Sequence, residues 1–285
     1  MNTIPVAFIE DLYERIAALK KLSNHGQLTG TFGLCATKME ANKYDRSWIL
    51  HNGSFERFKE CRYQNRSWIH ENLDLGVKYR VSKSVVYYAR NNSVPAIDSK
   101  LPGFITRFSK EPGMFCLKLF SSLLNDKWIQ LFSSWECLNQ LNIVAEEGIT
   151  EPVFQLLENL LHQEQLVRLT ISRNERSARE LDLFSEFLKQ KQFLCLIFFS
   201  REEAVKERIL AETDKEKFAG SRICWRHSTK IHDESFEALG RVDKDVVQFR
   251  KDNMLVTYFK ESARLGMSDE ELVNTAEQTI LYFVR

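Results

Sequence analysis

Cys224, His227 and His232 form a Cys-x2-His-x4-His run with Asp233 beside it, a close group of metal-capable side chains. A closed structural zinc site takes four ligands, and the chain has no CxxC pair or second cluster to complete one. Cys224 and His227 are therefore read as the end of a strand, and no metal site is assigned. The two histidines, His227 and His232, are the residues that an enzyme of unknown class would use if a pocket formed near them. His162 follows a helical stretch and is read as exposed. Asp243 and Asp245 are read as a solvated turn rather than a paired acid and base. No GxSxG elbow, GxxxxGK(S/T) loop or GxGxxG turn occurs, so no catalytic residue and no cofactor is assigned. Lys118, Arg168, Arg222 and Arg226 would form a basic stripe on neighbouring strands. Nucleic-acid binding asks for denser Lys and Arg with exposed aromatics, so no nucleic-acid partner is expected.

The elements that must position these residues come from a chain of 285 residues, 44% hydrophobic, with 20 Phe and 5 Trp, enough for a sizeable core. Against 40 Lys and Arg stand 39 Asp and Glu, and a net charge of +1 gives no overall pull toward nucleic acid or acidic membrane. The six cysteines (35, 61, 116, 137, 195 and 224) fall partly inside apolar runs, where a free thiol packs as a small hydrophobe. The N-terminus carries acids rather than a basic signal region, and the longest apolar run, FLCLIFF at 193–199, is far short of a membrane span. An intracellular, cytoplasmic or nuclear protein is expected. The N-x-S sequons at Asn52, Asn65 and Asn91 should then be idle.

IPVAFIEDLYERIAALKKL reads as an amphipathic helix, with Phe8, Leu12, Ile16 and Leu19 at helical spacing and Pro5 in the first turn. Residues 29–43 read as a second helix, Asn52-Gly53 as a hairpin turn, and 78–90 as a strand region. Residues 91–103 read as a loop, and 110–113 as a break. From there a pattern recurs. MFCLKLF, LNQLNIV, LVRLTIS and FLCLIFF each place apolar residues at positions one, four and six, and a weaker copy, GSRICWR, follows. Their starts, at 114, 138, 166, 193 and 220, lie 24, 28, 27 and 27 residues apart. Between them run helical stretches with start signals: Thr150-Glu151-Pro152, and capping boxes at Ser177 and Ser200.

A short strand and one helix cannot bury their shared apolar face alone, but stacked neighbours can. The fold class expected is α/β: a degenerate leucine-rich-repeat-like stack of strand–helix units with parallel strands. An N-terminal helical and β-hairpin region precedes it, and a C-terminal hairpin around Asp252-Asn253, a helix capped at Ser268 and a final strand close it. Only Asn174 supplies the asparagine of the repeat pattern, hence "degenerate". Positions three, five and seven face away from the helices, and there Lys118, Asn142, Arg168, Thr170, Ile197 and Phe199 would meet a target. Cys195, Ile197 and Phe199 make one such set wholly apolar, which calls for cover by the chain's own C-terminal part or by a partner. A second copy of the chain, in a self-associating scaffold, is one such partner.

The start NTIPVAFIEDLYERI, the helix-rich first forty residues, the hairpin-bearing middle and the degenerate repeat half resemble the F-box and F-box-associated proteins expanded in nematodes. Ile4-Pro5 stands where that family usually has Leu-Pro. The resemblance implies a non-enzymatic protein-binding module, of the kind that serves as the substrate-recognition subunit of a cullin-type ubiquitin ligase. Ile4, Pro5, Phe8, Ile9 and Leu12 would then dock the Skp adaptor, and the remainder would select an unknown target protein. Neither a nucleic acid nor a membrane partner is implied. The expected divisions are an N-terminal F-box-like segment at 1–45, a hairpin region at 46–110, a repeat array at 111–228 and a closing segment at 229–285.

Overall fold

The computed structural model describes residues 8–9, 28–42, 44–62, 68–69, 80–89, 93–111, 113–145, 149–172, 177–199, 203–211, 215–261, 263 and 266–284. It is a mixed α/β protein whose chain divides into two compact units, residues 1–139 and 140–285.

In the first unit, helix α1 (Gly30–Asn42) is followed by strands β1 (Tyr44–His51), β2 (Ser54–Arg62), β3 (Trp68–Ile69) and β4 (Arg80–Tyr88). Helix α2 (Leu101–Ser109), strand β5 (Met114–Leu119) and helix α3 (Asp126–Ser133) complete it. The strand order is β5-β4-β1-β2-β3, with β1 antiparallel to β2 and parallel to β4, and β4 parallel to β5. The β1–β2 turn is Asn52-Gly53, both at positive φ. A Cβ on Gly53 would run into the Ala96 carbonyl, so the tight turn and the close approach both require glycine there. The core of this unit is aromatic: Tyr87 packs on Trp128 at 4.9 Å and on Phe132 at 5.7 Å, and its hydroxyl donates to the Leu123 carbonyl at 2.7 Å. Buried Lys83 donates its ammonium protons to the Ser109 and Glu111 carbonyls at the C-terminal end of α2, where a cation is favoured. Residues 101–103, expected within a loop, instead open α2. Pro102 sits in its first turn, where the missing N–H and fixed φ suit a helix start.

In the second unit, β6 (Leu138–Ile143, of which Gln140–Ile143 fall in this unit), β7 (Arg168–Ile171), β8 (Cys195–Phe198) and β9 (Arg222–Trp225) alternate with helices α4 (Glu151–His162), α5 (Ala178–Lys189) and α6 (Glu203–Leu210). These strands pair in parallel without a register shift: Gln140, Arg168, Cys195 and Arg222 form one row, and Asn142, Thr170, Ile197 and Cys224 another. The rows between hold Leu141, Leu169, Leu196 and Ile223, then Ile143, Ile171, Phe198 and Trp225, all buried. Positions four and six of each unit are thus the sealed side of the sheet, as the spacing predicts. Ser177 accepts from the Glu180 N–H at 3.2 Å while the Glu180 carboxylate accepts from the Ser177 N–H at 3.3 Å, closing the expected capping box. The box expected at Ser200 lies outside the described residues. Ties run from each helix to the next: Arg179 of α5 pairs with Glu151 and Glu158 of α4 and lies over the Phe154 ring, and the Gln190 side chain donates to the Leu161 carbonyl at 2.6 Å. Arg208 of α6 pairs with Asp182 of α5 at 3.2 Å.

The strands β10 (Glu237–Asp243), β11 (Val246–Lys251) and β12 (Met254–Phe259), helix α7 (Asp269–Thr275) and strand β13 (Gln278–Phe283) follow. They form an antiparallel run β10-β11-β12-β13 that joins β9 through β13. The expected hairpin at Asp252-Asn253, the helix after Ser268 and the final strand are all present. Strand β10 carried no sequence expectation. It is almost wholly exposed, so no alternation of apolar residues marks it.

Candidate functional site

Because side chains alternate across a strand, burying positions four and six sends positions three, five and seven to the opposite face. In the second unit that face carries Gln140 and Asn142 on β6, then Arg168, Thr170 and Ser172 from β7. Cys195, Ile197 and Phe199 follow from β8, and Arg222, Cys224 and Arg226 from β9. Its centre is closed. Cys195, Ile197 and Cys224 form a buried cluster, and Ile280 of β13, paired with Cys224 in the neighbouring strand, packs against it from the side. Thr170 and Gln140 are also buried, while Phe199 is 46% exposed.

Two thiols and two guanidinium groups meet in this cluster. Cys195 Sγ lies 3.8 Å from Cys224 Sγ, and Arg222 donates its Nε–H to Cys195 Sγ at 3.3 Å. The contact with the Cys224 thiol lowers the Cys195 pKa to about 6 despite burial, with help from the charges of Arg222 and Arg168. Cys224 is pushed strongly the other way by the same contact and by burial, so Cys195 is the ionising partner and Cys224 the proton donor. The pair had a signal in the sequence: positions three and five of consecutive units fall diagonally across adjacent strands, 29 residues apart. The remaining polar groups are under-satisfied. Arg168 Nε and Asn142 Oδ1 are buried without a hydrogen-bond partner. Among the described residues, no carboxylate pairs with Arg168, Arg222 or Arg226; Arg226 instead lies 5.9 Å from the Phe199 ring centroid.

Of the other residues singled out, Lys118 is half-buried on β5 of the first unit. Ile4, Pro5 and Leu12 lie outside the described residues. Ile9 is helical and buried against Ala36 and Met39 of α1, whereas Phe8 is 58% exposed. Leu28 and Leu34 are exposed as well. His162 is exposed, its Nδ1 2.7 Å from the Glu158 carbonyl. Asp243 and Asp245 bracket the β10–β11 turn.

The histidine run disperses. Cys224 belongs to the thiol pair, His227 is exposed, and His232 stacks on Phe249 at 3.7 Å between ring centroids. The Ile231 N–H donates to the Tyr258 hydroxyl at 2.9 Å, and that hydroxyl lies 2.8 Å from His232 Nδ1. Among the described residues no group of three or more His, Cys, Asp or Glu is placed to hold a metal ion. His232 borders an open cleft of about 750 Å³ with Lys230, Asp233, Glu234 and Ser235, and His227 is not in its lining. No helix among the described residues is long and apolar enough to cross a membrane. Comparison with known protein families, with curated proteins and with solved structures finds no match to this chain.

Proposed function

We propose that this chain is a non-catalytic protein-recognition module in which β6–β9 and α4–α6 act as a degenerate leucine-rich-repeat-like stack. The unshifted register of four consecutive strands and the ties from helix to helix support the repeat reading. One observation carries the functional reading. The helix side of the sheet is sealed by apolar residues, and the opposite face carries Arg168, Arg222 and Arg226, which have no carboxylate partner among the described residues, beside exposed Phe199. Guanidinium groups without such partners are donors for the acceptors that a bound protein chain supplies. Photo-crosslinking tests this face. With p-benzoylphenylalanine at Ser172, protein adducts should form in cells; with the same group at Glu158, on helix α4, they should not. Equal labelling from both positions, or none from Ser172, would remove the reading.

The N-terminal segment fits the same proposal as a docking element for the Skp adaptor of a cullin ligase, acting in the cytoplasm or nucleus. Its support is the exposure of Phe8, Leu28 and Leu34 around a segment whose Ile9 is anchored on α1. Co-purification with the Skp adaptor should succeed for the wild type and fail after Phe8→Ala and Leu12→Ala together. Absence of binding by the wild type, or equal binding by the variant, sinks the ligase part and leaves the recognition face standing.

A further inference from the structure

We propose that the face carrying Arg168, Arg222 and Arg226 binds an Asp/Glu-rich segment of the partner protein. This rests on the recognition reading above and names the chemistry of its target. The chain as a whole is nearly neutral, so the concentration of arginine on one face is local and not a reflection of composition. Other arginines among the described residues of this unit do have carboxylates: Arg179 has Glu151 and Glu158, Arg208 has Asp182, and Arg241 has Asp269. On this face the three arginines have none among the described residues. The charges acting on Arg222 come from Cys195, Cys224 and Tyr282. Arg222 donates to the Cys195 thiol, and Arg168 and Arg226 have no anionic partner among the described residues.

Guanidinium groups bind carboxylates through paired N–H donors, and one Arg222 donor is already committed to Cys195. Arg168 and Arg222 stand two strands apart, about 10 Å, and Arg226 lies four residues beyond Arg222, about 13 Å along the strand. Carboxylates three to four residues apart in an extended segment span the same distances. The chain's net charge of +1 gives no long-range pull toward a nucleic acid, and three arginines fall short of the dense basic patch that tracks a phosphate backbone, which favours a short acidic peptide. Two exposed aromatics stand beside these arginines, Phe199 and Tyr282, the latter paired with Arg222, so binding of a single-stranded nucleic acid is an outcome that the experiment must separate.

The experiment measures fluorescence anisotropy of labelled octaglutamate, octaglutamine and an eight-residue oligothymidylate with the full chain at low salt. Octaglutamate should bind, weaken at least tenfold in the Arg168→Gln/Arg226→Glu variant, and weaken with added salt; octaglutamine should not bind. Thermal melting checks that the variant folds, and Arg226→Glu alone, at an exposed position, should still weaken binding measurably. The proposal is overturned by octaglutamate binding no better than octaglutamine, by equal affinity in folded variants, or by tighter binding of the oligothymidylate. If octaglutamate fails while crosslinking at Ser172 captures protein, the acidic chemistry falls and the recognition module remains. If crosslinking fails while octaglutamate binds, the module reading falls instead.

Discussion

A thiol buried in apolar surroundings normally resists ionisation, and Cys195 departs from that rule because of its neighbours. The Cys224 thiol donates toward it, and the Arg222 and Arg168 guanidinium groups favour its charge. A thiolate-sensitive absorbance titration should show one group ionising near pH 6, well below ordinary thiols. In Cys224→Ala that step should move upward, because the largest stabilising contact is gone; an unchanged titration would show that the two sulfurs do not interact. His232 offers a second pH handle. Burial, and then the charge of Lys230, lowers its pKa against the opposing pull of Asp233. A neutral Nδ1 can accept the Tyr258 proton, and an imidazolium cannot. The folded state therefore takes up this proton less readily than the unfolded chain. Stability from His232 is fully present above the ordinary histidine pKa and drains away as pH falls through the lower folded value. Urea midpoints measured from neutral to mildly acidic pH should fall for the wild type and fall less for His232→Gln. Identical slopes would place the acid sensitivity elsewhere.

Within an element, the same substitution costs different amounts depending on what the residue seals. Leu169 lies between Leu141 and Leu196 in a fully buried row, so Leu169→Ala should cost about 3 kcal/mol by urea unfolding. Ser177→Ala removes one side of the α5 capping box and should cost about 1 kcal/mol. A smaller loss at Leu169 than at Ser177 would contradict the sealed row. These two features were readable in the sequence because each is a local rule: apolar residues at fixed positions, and a serine three residues before a glutamate. The elements that escaped notice lack such a rule. Pro102 reads equally as loop or helix start, and the choice in favour of α2 is made by Leu101, Ile105 and Phe108 packing into the core. Strand β10 has only backbone pairing to define it. On the candidate face, the positions were legible from the alternation. The packing of Ile280 beside Cys224 was not, because it depends on a strand 56 residues further along the chain.

At the scale of the whole molecule, two compact units and a strand order that follows the chain in β6–β9 set how damage should spread. In a stack of similar units each strand leans mainly on its immediate neighbours, so stability is approximately a sum of unit and interface contributions. Leu196→Ala opens a cavity in the middle of the second unit, against Leu169 on one side and Ile223 on the other. Amide protons reveal the consequence, since exchange from a strand requires its ladder to open locally or globally. Hydrogen exchange read by mass spectrometry should quicken most in the peptides holding 168–171, 195–198 and 222–225, and less in 246–259. The peptides holding 44–51 and 80–88, whose ladder belongs to the first unit, should keep their wild-type rates. If exchange instead rises equally in both sets, the two units do not open separately, and the additive picture of the stack is wrong.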